Sequence, residues 1–229
     1  MNSPRFHIDK AVEIVSHKFS VSASQSDMLV RACELVRERF ASLIPASDLR
    51  RFESRTVLGS LILNAVLRET FPSSTRLADV GSGLGFPGIP LAILNPEKEF
   101  LLLDSNMAKV NAAIEISASL GLKNLKVMNQ DGRFKFDNPV HDVLIGRRVA
   151  PVSEFFSACA VHSPSLGCLY LCGFKAASSV KNIDQLIPFE SVASPNFKLP
   201  VKGECVAVVS AVSLKNFVSF ERWSEERRN

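Results

Sequence analysis

The strongest fold signal in this chain is the segment Leu77-Ala-Asp-Val-Gly-Ser-Gly-Leu-Gly-Phe-Pro-Gly-Ile-Pro-Leu-Ala92. It predicts a strand over Arg76–Val80, a glycine-rich turn, and a helix that begins at Pro87, where the missing proline N–H does no harm. Gly81, Gly83 and Gly85 let the backbone turn tightly and approach a ligand without a Cβ in the way. In open α/β sheets such a turn lies where cofactors bind. We therefore expect a ligand site at this turn.

Apolar runs and helical stretches alternate from residue 76 onward. The predicted strands are Arg76–Val80, Glu99–Leu103, Leu125–Met128, Asp142–Ile145, Gly167–Cys172 and Glu204–Val212. The predicted helices are Pro87–Leu94, Met107–Leu120, Val152–Val161 and Ala176–Leu186. Strands that are almost wholly apolar and separated by helices are typical of a parallel sheet covered on both faces. We expect a doubly wound α/β fold, closed by a hairpin between Phe189 and Val212.

The first 75 residues have a different pattern. Asp27–Phe40 places Leu29, Cys33, Val36 and Phe40 on one helical stripe. A second helix is predicted from Thr56 to about Glu69. The sequence thus predicts an N-terminal helical extension over residues 1–75, an α/β core over 76–215 and a C-terminal tail over 216–229. Part of this tail is expected to be a frayed helix.

Composition excludes several classes of protein. The chain has 229 residues, 46% of them hydrophobic, and a net charge of 27 − 23 = +4, which argues against global disorder. The sequence contains neither an apolar run that could span a bilayer nor a signal-peptide pattern, so we expect a cytoplasmic protein that is not bound to membranes. The five cysteines are an odd number and widely spread, which favours buried reduced thiols over disulfides or a metal site.

The glycine turn and the next two strand ends together suggest a cofactor. The dinucleotide pattern fails because Phe86 stands where its last glycine is needed, and no P-loop lysine is present. An aspartate before G-x-G-x-G, here Asp79, is how class I S-adenosylmethionine (SAM) methyltransferases begin. Asp104, followed by Ser105, ends the second strand and can accept both ribose hydroxyls of an adenosine. Asp131-Gly132 follows the third strand and could bracket adenine. The alternative is a tight turn with only a helix-capping role.

The segment Asp79–Ile93 closely resembles the bacterial ribosomal RNA small-subunit methyltransferase G family, also called glucose-inhibited division protein B. The resemblance extends over roughly residues 50 to 215. Further segments that carry it are Leu103-Asp-Ser, Leu120-Gly-Leu-Lys-Asn-Leu, Ile145-Gly-Arg-Arg-Val-Ala150 and Phe174-Lys175.

The resemblance implies a class I fold, Rossmann-like and mostly parallel, with seven strands of which the last is antiparallel. It implies transfer of a methyl group from SAM to N7 of one guanosine in 16S rRNA, with the small ribosomal subunit as partner. The mild charge favours a monomer. Carried over by motif, the family roles fall on the following residues: Gly81 and Phe86 along the SAM, Asp104 at its ribose, Gly132 and Arg133 beside adenine, and Arg147 and Lys175 at the catalytic cleft. Arg50, Arg51 and Arg55 would line an RNA entrance or be ordinary surface charges.

This chain departs from the family pattern on the acceptor side. The Asn-Leu-Thr motif is Ser42-Leu-Ile-Pro45, the R-H-[IL]-x-D-S motif is Arg55-Thr-Val-Leu-Gly-Ser60, and an arginine expected beside the last strand is Cys205. Three alternatives therefore stay open: a methyltransferase for another RNA or a small molecule, a SAM-binding protein without catalysis, and, less favoured, a nicotinamide dehydrogenase.

Overall fold

The structure is a computed structural model that describes residues 3–131, 141–162, 164–195, 199 and 203–217. Its centre is a seven-stranded sheet in the order β3-β2-β1-β4-β5-β7-β6. The strands are β1 (Arg76–Val80), β2 (Glu99–Asp104), β3 (Leu125–Asn129), β4 (Val143–Arg147), β5 (Gly167–Gly173), β6 (Gln185–Pro188) and β7 (Glu204–Ser210). The pairs along β3-β2-β1-β4-β5 are parallel, and β7 is antiparallel to both of its neighbours. The predicted fold class is confirmed.

Helices cover both faces of this sheet. They are α1 (Pro4–Val15), α2 (Ala23–Arg39), α3 (Ala46–Leu49), α4 (Leu58–Thr70), α5 (Gly88–Leu94), α6 (Met107–Ser119), α7 (Val152–His162), α8 (Phe174–Ala177), α9 (Phe189–Val192) and α10 (Ala211–Leu214). A π-helical segment, Phe52–Val57, leads into α4. None of the helices in the described ranges has the length and hydrophobicity to traverse a lipid bilayer.

Side chains that alternate along the strands build two hydrophobic layers. Leu77, Leu102 and Leu169 belong to the larger layer, which also contains the buried side chains of α1, α2, α4 and α5. Ala78 and Leu103 belong to the other layer, with α7 and α10. Because both faces are covered, the strands read as continuous apolar runs.

Helix α4 is buried around its whole circumference from Leu58 to Leu67. It packs against α1, α5, α9 and β5, and a Cβ added at Gly59 would lie 3.0 Å from Leu171 Cδ1 of β5. The N-terminal helices thus share one core with the sheet. The division of the chain at residues 75 and 215 stays a prediction.

Two predicted elements near the C-terminus are wrong. The expected helix Ala176–Leu186 is the short α8 followed by the edge strand β6, because Asn182 adopts a left-handed φ of 67° between them. The expected hairpin after Phe189 is wrong too, since Phe189 begins α9 and β7 pairs instead with β6.

Several boundaries also differ from the sequence prediction. Strand β7 ends at Ser210, whose hydroxyl accepts from Ser213 N and caps α10. Helix α1 was not predicted, although Ser3 followed by Pro4 is a recognisable helix start. The tail after Phe220 lies outside the described residues.

Candidate active site

The glycine turn after β1 is held by the end of β2. The N–H groups of Gly81 and Ser82 both donate to Leu103 O, at 2.8 and 2.9 Å. Gly81, Gly83 and Gly85 have φ values of 73°, 59° and 88°, a region that other residues enter only with strain. The motif therefore forms the sharp strand-to-helix turn that its glycines predict.

The three glycines face different surroundings. A Cβ at Gly81 would lie 2.1 Å from Val149 Cγ2, and one at Gly85 would lie 2.4 Å from Ile89 Cδ1 of α5. A Cβ at Gly83 would meet nothing within 4 Å. Gly85 therefore serves the packing of the turn on α5, whereas Gly83 borders open space.

Asp104 connects this turn to the following helix. Its Oδ2 accepts from Gly83 N at 2.8 Å, and its Oδ1 accepts from Asn106 N at 2.8 Å. Asn106 in turn caps α6 by accepting from Lys109 N at 3.2 Å. One carboxylate at the end of β2 thus fixes both the turn and the start of α6.

A cavity of about 320 Å³ opens beside these residues at the carboxyl ends of the strands. Its lining is Val80, Gly81, Asp104, Ser105, Gln130, Asp131, Val149, Ala150, Pro151, Glu154, Phe155 and Ala158. Gly81, Asp104, Ser105 and Asp131 were predicted site residues. Gly132 and Arg133, the other two predicted on the adenine side, lie outside the described residues.

The wall formed by Val149, Glu154 and Phe155 was missed by the sequence reasoning. These residues follow β4, which pairs with β1 in parallel, so that Asp79 lies opposite Ile145. The rule that sites form at the carboxyl ends of neighbouring strands, applied to β4 as it was to β1 and β2, would have found this wall.

Asp79 is fully buried beneath the turn. Its Oδ2 accepts from Gly88 N at 2.8 Å, while its Oδ1 and the nearby Ser82 Oγ have no partner in the described part of the chain. Burial raises the pKa of Asp79 to about 7, although the Gly88 hydrogen bond and the charge of Arg147 oppose the shift. Buried polar atoms usually have partners. This turn can therefore take a polar ligand group.

Arg147, at the end of β4, lines a second, smaller cavity of about 160 Å³. Its other lining residues are Leu43, Ile44, Pro45, Asp48, Phe52, Gly83, Leu84, Phe86 and Lys109. The Phe52 and Phe86 rings meet edge to face, 4.9 Å between centroids. Arg147 Nε is buried without a hydrogen-bond partner among the described residues, and burial lowers the pKa of Arg147.

Lys175 stands apart from these cavities. It is exposed on the short helix α8, and neither lining includes it. Its predicted role in the cleft stays a prediction.

A larger cavity, about 460 Å³, lies at the amino ends of the strands, among the first residues of β1, β2 and β3. Volume alone would favour it, but α/β sheets bind cofactors at the carboxyl ends of their strands. We therefore assign the functional site to the smaller pair of cavities. In the described ranges, no group of three or more His, Cys, Asp or Glu side chains could hold a metal ion.

The strand order, the antiparallel β7 and the glycine turn joined to Asp104 define the class I SAM-dependent methyltransferase fold. A solved SAM-dependent methyltransferase from Aquifex aeolicus has the same fold, with a TM-score of 0.51 and 16% identity over 73% of this chain and 98% of that one. The sequence profile of rRNA small subunit methyltransferase G matches residues 34–200. The chain belongs to this family.

Two curated relatives illustrate the membership. Ribosomal RNA small subunit methyltransferase G of Nitrosococcus oceani is 36% identical over 118 residues, 51% of this chain and 54% of that protein. The protein of the same name from Christiangramia forsetii is 34% identical over 148 residues, 62% of this chain and 68% of that protein. The first match thus spans about half the length of the relative.

Proposed function

We propose that this protein transfers the methyl group of SAM to N7 of a guanine in 16S rRNA of the small ribosomal subunit. The observation that carries the proposal is that one glycine turn lines two cavities. Gly81 lines the larger cavity beside Asp104, and Gly83 lines the smaller one beside Arg147. A cofactor held in the first cavity would present its reactive end toward the second.

The larger cavity has the groups that a SAM adenosine needs. A carboxylate offers about four acceptor positions. Asp104 uses two of them for backbone N–H groups, so the others can accept ribose hydroxyls. Val149 and Phe155 give an apolar wall for adenine, and Ser105 and Asp131 give polar partners. We keep Gly132 and Arg133 as adenine-side candidates on the family motif.

Asp79 lines neither cavity, but its unpartnered Oδ1 lies beneath the turn that borders both and suits the methionine end of the cofactor, which carries positive charge. Burial disfavours the ionised form of this carboxylate, and the charge of Arg147 offsets that only in part. A cationic group near it would lower its pKa from about 7 and keep it ionised. When bound, SAM supplies an electrophilic methyl group on a sulfonium.

The acceptor side needs few catalytic groups. Guanine N7 has an exposed lone pair and no proton, so that no general base is required. Holding N7 in line with the methyl group, away from water, then supplies most of the rate. Phe52 and Phe86 give the smaller cavity an aromatic wall, and Arg147 has an Nε–H free to donate, for which guanine O6 is a suitable acceptor.

The choice of 16S rRNA rests on the family. The curated relatives carry the name ribosomal RNA small subunit methyltransferase G. A net charge of +4 is compatible with an anionic partner of this kind. With such a substrate the protein would act in the cytoplasm, and we expect it to act as a monomer.

The test is transfer of labelled methyl from SAM to small ribosomal subunits purified from a strain that lacks this protein. Mass spectrometry then identifies the modified nucleoside. We expect labelled 7-methylguanosine in 16S rRNA. If protein that binds SAM gives no transfer, the proposed substrate or the catalysis is refuted. Transfer assays with free RNA and small-molecule acceptors then distinguish an enzyme with a different substrate from a protein that has lost catalysis.

A further inference from the structure

We propose that Arg148, held with Arg55 on the buried carboxylate of Glu204, binds a phosphate of the RNA chain next to the methylated nucleotide. This inference rests on the proposed function and assigns a backbone-binding site to it. The three side chains lie at the carboxyl end of β4, the start of β7 and the π-helical segment before α4.

The cluster is built around one carboxylate oxygen. Glu204 Oε1 accepts from Arg148 NH2 at 2.5 Å and from Arg55 Nε at 3.0 Å. The Glu204 side chain is 4% exposed, whereas those of Arg55 and Arg148 are 25% and 39% exposed. The negative charge therefore lies beneath two guanidinium groups that reach the surface.

The charges of this cluster do not cancel. Two guanidinium groups share one carboxylate, which leaves one positive charge, and Arg147 interacts electrostatically with these three groups and with the carboxylate of Asp79. One arginine would neutralise Glu204, and Arg148 is the more exposed of the two. Arg148 is thus a surplus cation, and a guanidinium fork is well matched to phosphate oxygens.

The backbone of Arg148 supports a specific role. Its φ is 51°, in the left-handed region, which costs an ordinary residue about 1 kcal/mol or more. An arginine kept in that conformation and tied to a buried carboxylate is oriented more firmly than a solvated side chain. Such outliers are common where a site needs a fixed geometry.

The location favours RNA phosphate over the carboxylate of the cofactor. Arg55 and Arg148 line neither the 320 Å³ cavity nor the smaller one, so they lie outside the proposed cofactor site and at the rim of the acceptor side. Arg148 directly follows Arg147, which lines the proposed acceptor cavity. An anion bound by Arg148 would thus lie on the acceptor side, where the chain of a bound nucleotide continues.

The test is the salt dependence of binding to unmodified 16S rRNA transcribed in vitro. The Arg148→Gly variant lacks the guanidinium, and glycine adopts the left-handed backbone without strain. Because Arg55 still neutralises Glu204, the variant should fold. Loss of one single-strand phosphate contact should lower the slope of log affinity against log salt by about 0.7. This corresponds to binding about five-fold weaker at 0.1 M salt than that of the wild type, with the difference vanishing near 1 M.

Three controls separate charge, backbone and cofactor effects. Asn182→Gly relieves the other left-handed non-glycine residue, at φ 67°, and should leave RNA binding unchanged. Arg31→Gln removes a surface cation paired with Glu34 and Glu38 on α2, and should not change the slope. Arg148→Lys keeps the charge and should keep most of the slope. The affinity for SAM should be equal in all variants.

Equal slopes for the wild type and Arg148→Gly would overturn the inference and leave the proposed function standing. A loss of SAM affinity at an unchanged slope would reassign the cluster to the cofactor carboxylate. Absence of RNA binding by the wild type would also overturn the inference. The proposed function would then be tested separately, by methyl transfer to small ribosomal subunits.

Discussion

The backbone N–H of Gly83 donates to Asp104 Oδ2 at 2.8 Å, so one carboxylate at the end of β2 holds the turn that follows β1. The same carboxylate accepts from Asn106 N through its other oxygen. The residue proposed to bind the cofactor ribose therefore also shapes the turn on which the cofactor would lie.

Replacement of Asp104 by alanine should weaken SAM binding strongly. Hydrogen bonds to a charged group contribute about 1.5–3 kcal/mol, so we expect a loss of affinity of roughly 10- to 100-fold by isothermal calorimetry. Asp184→Ala is the matched control, because Asp184 also accepts a backbone N–H, that of Ser210, but at the far edge of the sheet. Equal SAM affinity in the two variants would contradict the role of Asp104.

Gly83→Arg should abolish SAM binding without unfolding the protein. The position has φ 59° and open space around it, and it borders the smaller cavity, so the new side chain would fill the space toward which the reactive end of the cofactor would point. Gly121→Arg is the control, since Gly121 has φ 67° and equally open surroundings after α6. Both variants should lose about 1 kcal/mol or more of stability from backbone strain, but only the first should lose the cofactor. Unchanged affinity in Gly83→Arg would refute the site.

SAM affinity should increase with pH through about 7. A cationic ligand favours ionised Asp79, whose pKa is about 7 in the ligand-free protein, so below that pH binding must release a proton. The affinity should fall by up to about ten-fold per pH unit below 7 and level off above it. Calorimetric titrations at several pH values measure this. Asp79→Asn should bind more weakly and without the pH dependence; a flat wild-type profile from pH 5 to 8 would contradict the assignment.

The raised pKa of Asp79 also predicts how the stability of the protein depends on pH. The folded-state pKa of Asp79 lies above its ordinary value, so the folded protein binds more protons than the unfolded chain between about pH 4 and 7. The contribution of Asp79 to the free energy of unfolding therefore falls as the pH rises through this range. The difference between wild-type and Asp79→Asn melting temperatures, measured at pH 5 and pH 8, checks the sign: the variant should gain relative stability at pH 8.

Arg147→Ala should slow methyl transfer far more than it affects folding. Loss of one positioned donor typically lowers kcat about 100-fold. Removal of Arg147 takes away a buried charge with an unpartnered Nε but also the positive charge beside Asp79, which can then become neutral by protonation, so the melting temperature should change little. Arg76→Ala, at the opposite end of the sheet in an ion pair with Asp142, should leave kcat unchanged. Parallel losses of transfer and stability in Arg147→Ala would make this residue structural.

The sequence predicted the features that depend on short stretches of chain. The turn of Gly81, Gly83 and Gly85 and the carboxylate of Asp104 follow from local patterns and from the rule for strand ends. The wall of Val149 and Phe155 follows from the same rule only once β4 is placed beside β1, and that neighbourhood is set by their parallel register rather than by a local pattern.

The errors near the C-terminus have a similar cause. Ala176–Leu186 has enough apolar residues for a helix, but its last two residues begin the edge strand β6, where Leu186 pairs with Ala207 of β7. Such pairing depends on distant residues that a local pattern does not contain. The left-handed backbone of Arg148 is equally invisible in the sequence, since arginine gives no signal for it.

The burial of α4 on all sides has a consequence for synthesis on the ribosome. This helix leaves the exit tunnel early, yet Leu171 and the other β5 contacts that cover it are made about a hundred residues later. At a synthesis rate of roughly 5–20 residues per second, the apolar surface of α4 stays uncovered for on the order of ten seconds before β5 is available. We expect nascent chains stalled before β5 to be protease-sensitive and to recruit chaperones, and chains stalled well beyond β7 to be resistant. The folding of a protein proposed to modify ribosomes would thus itself depend on the rate at which a ribosome synthesises it.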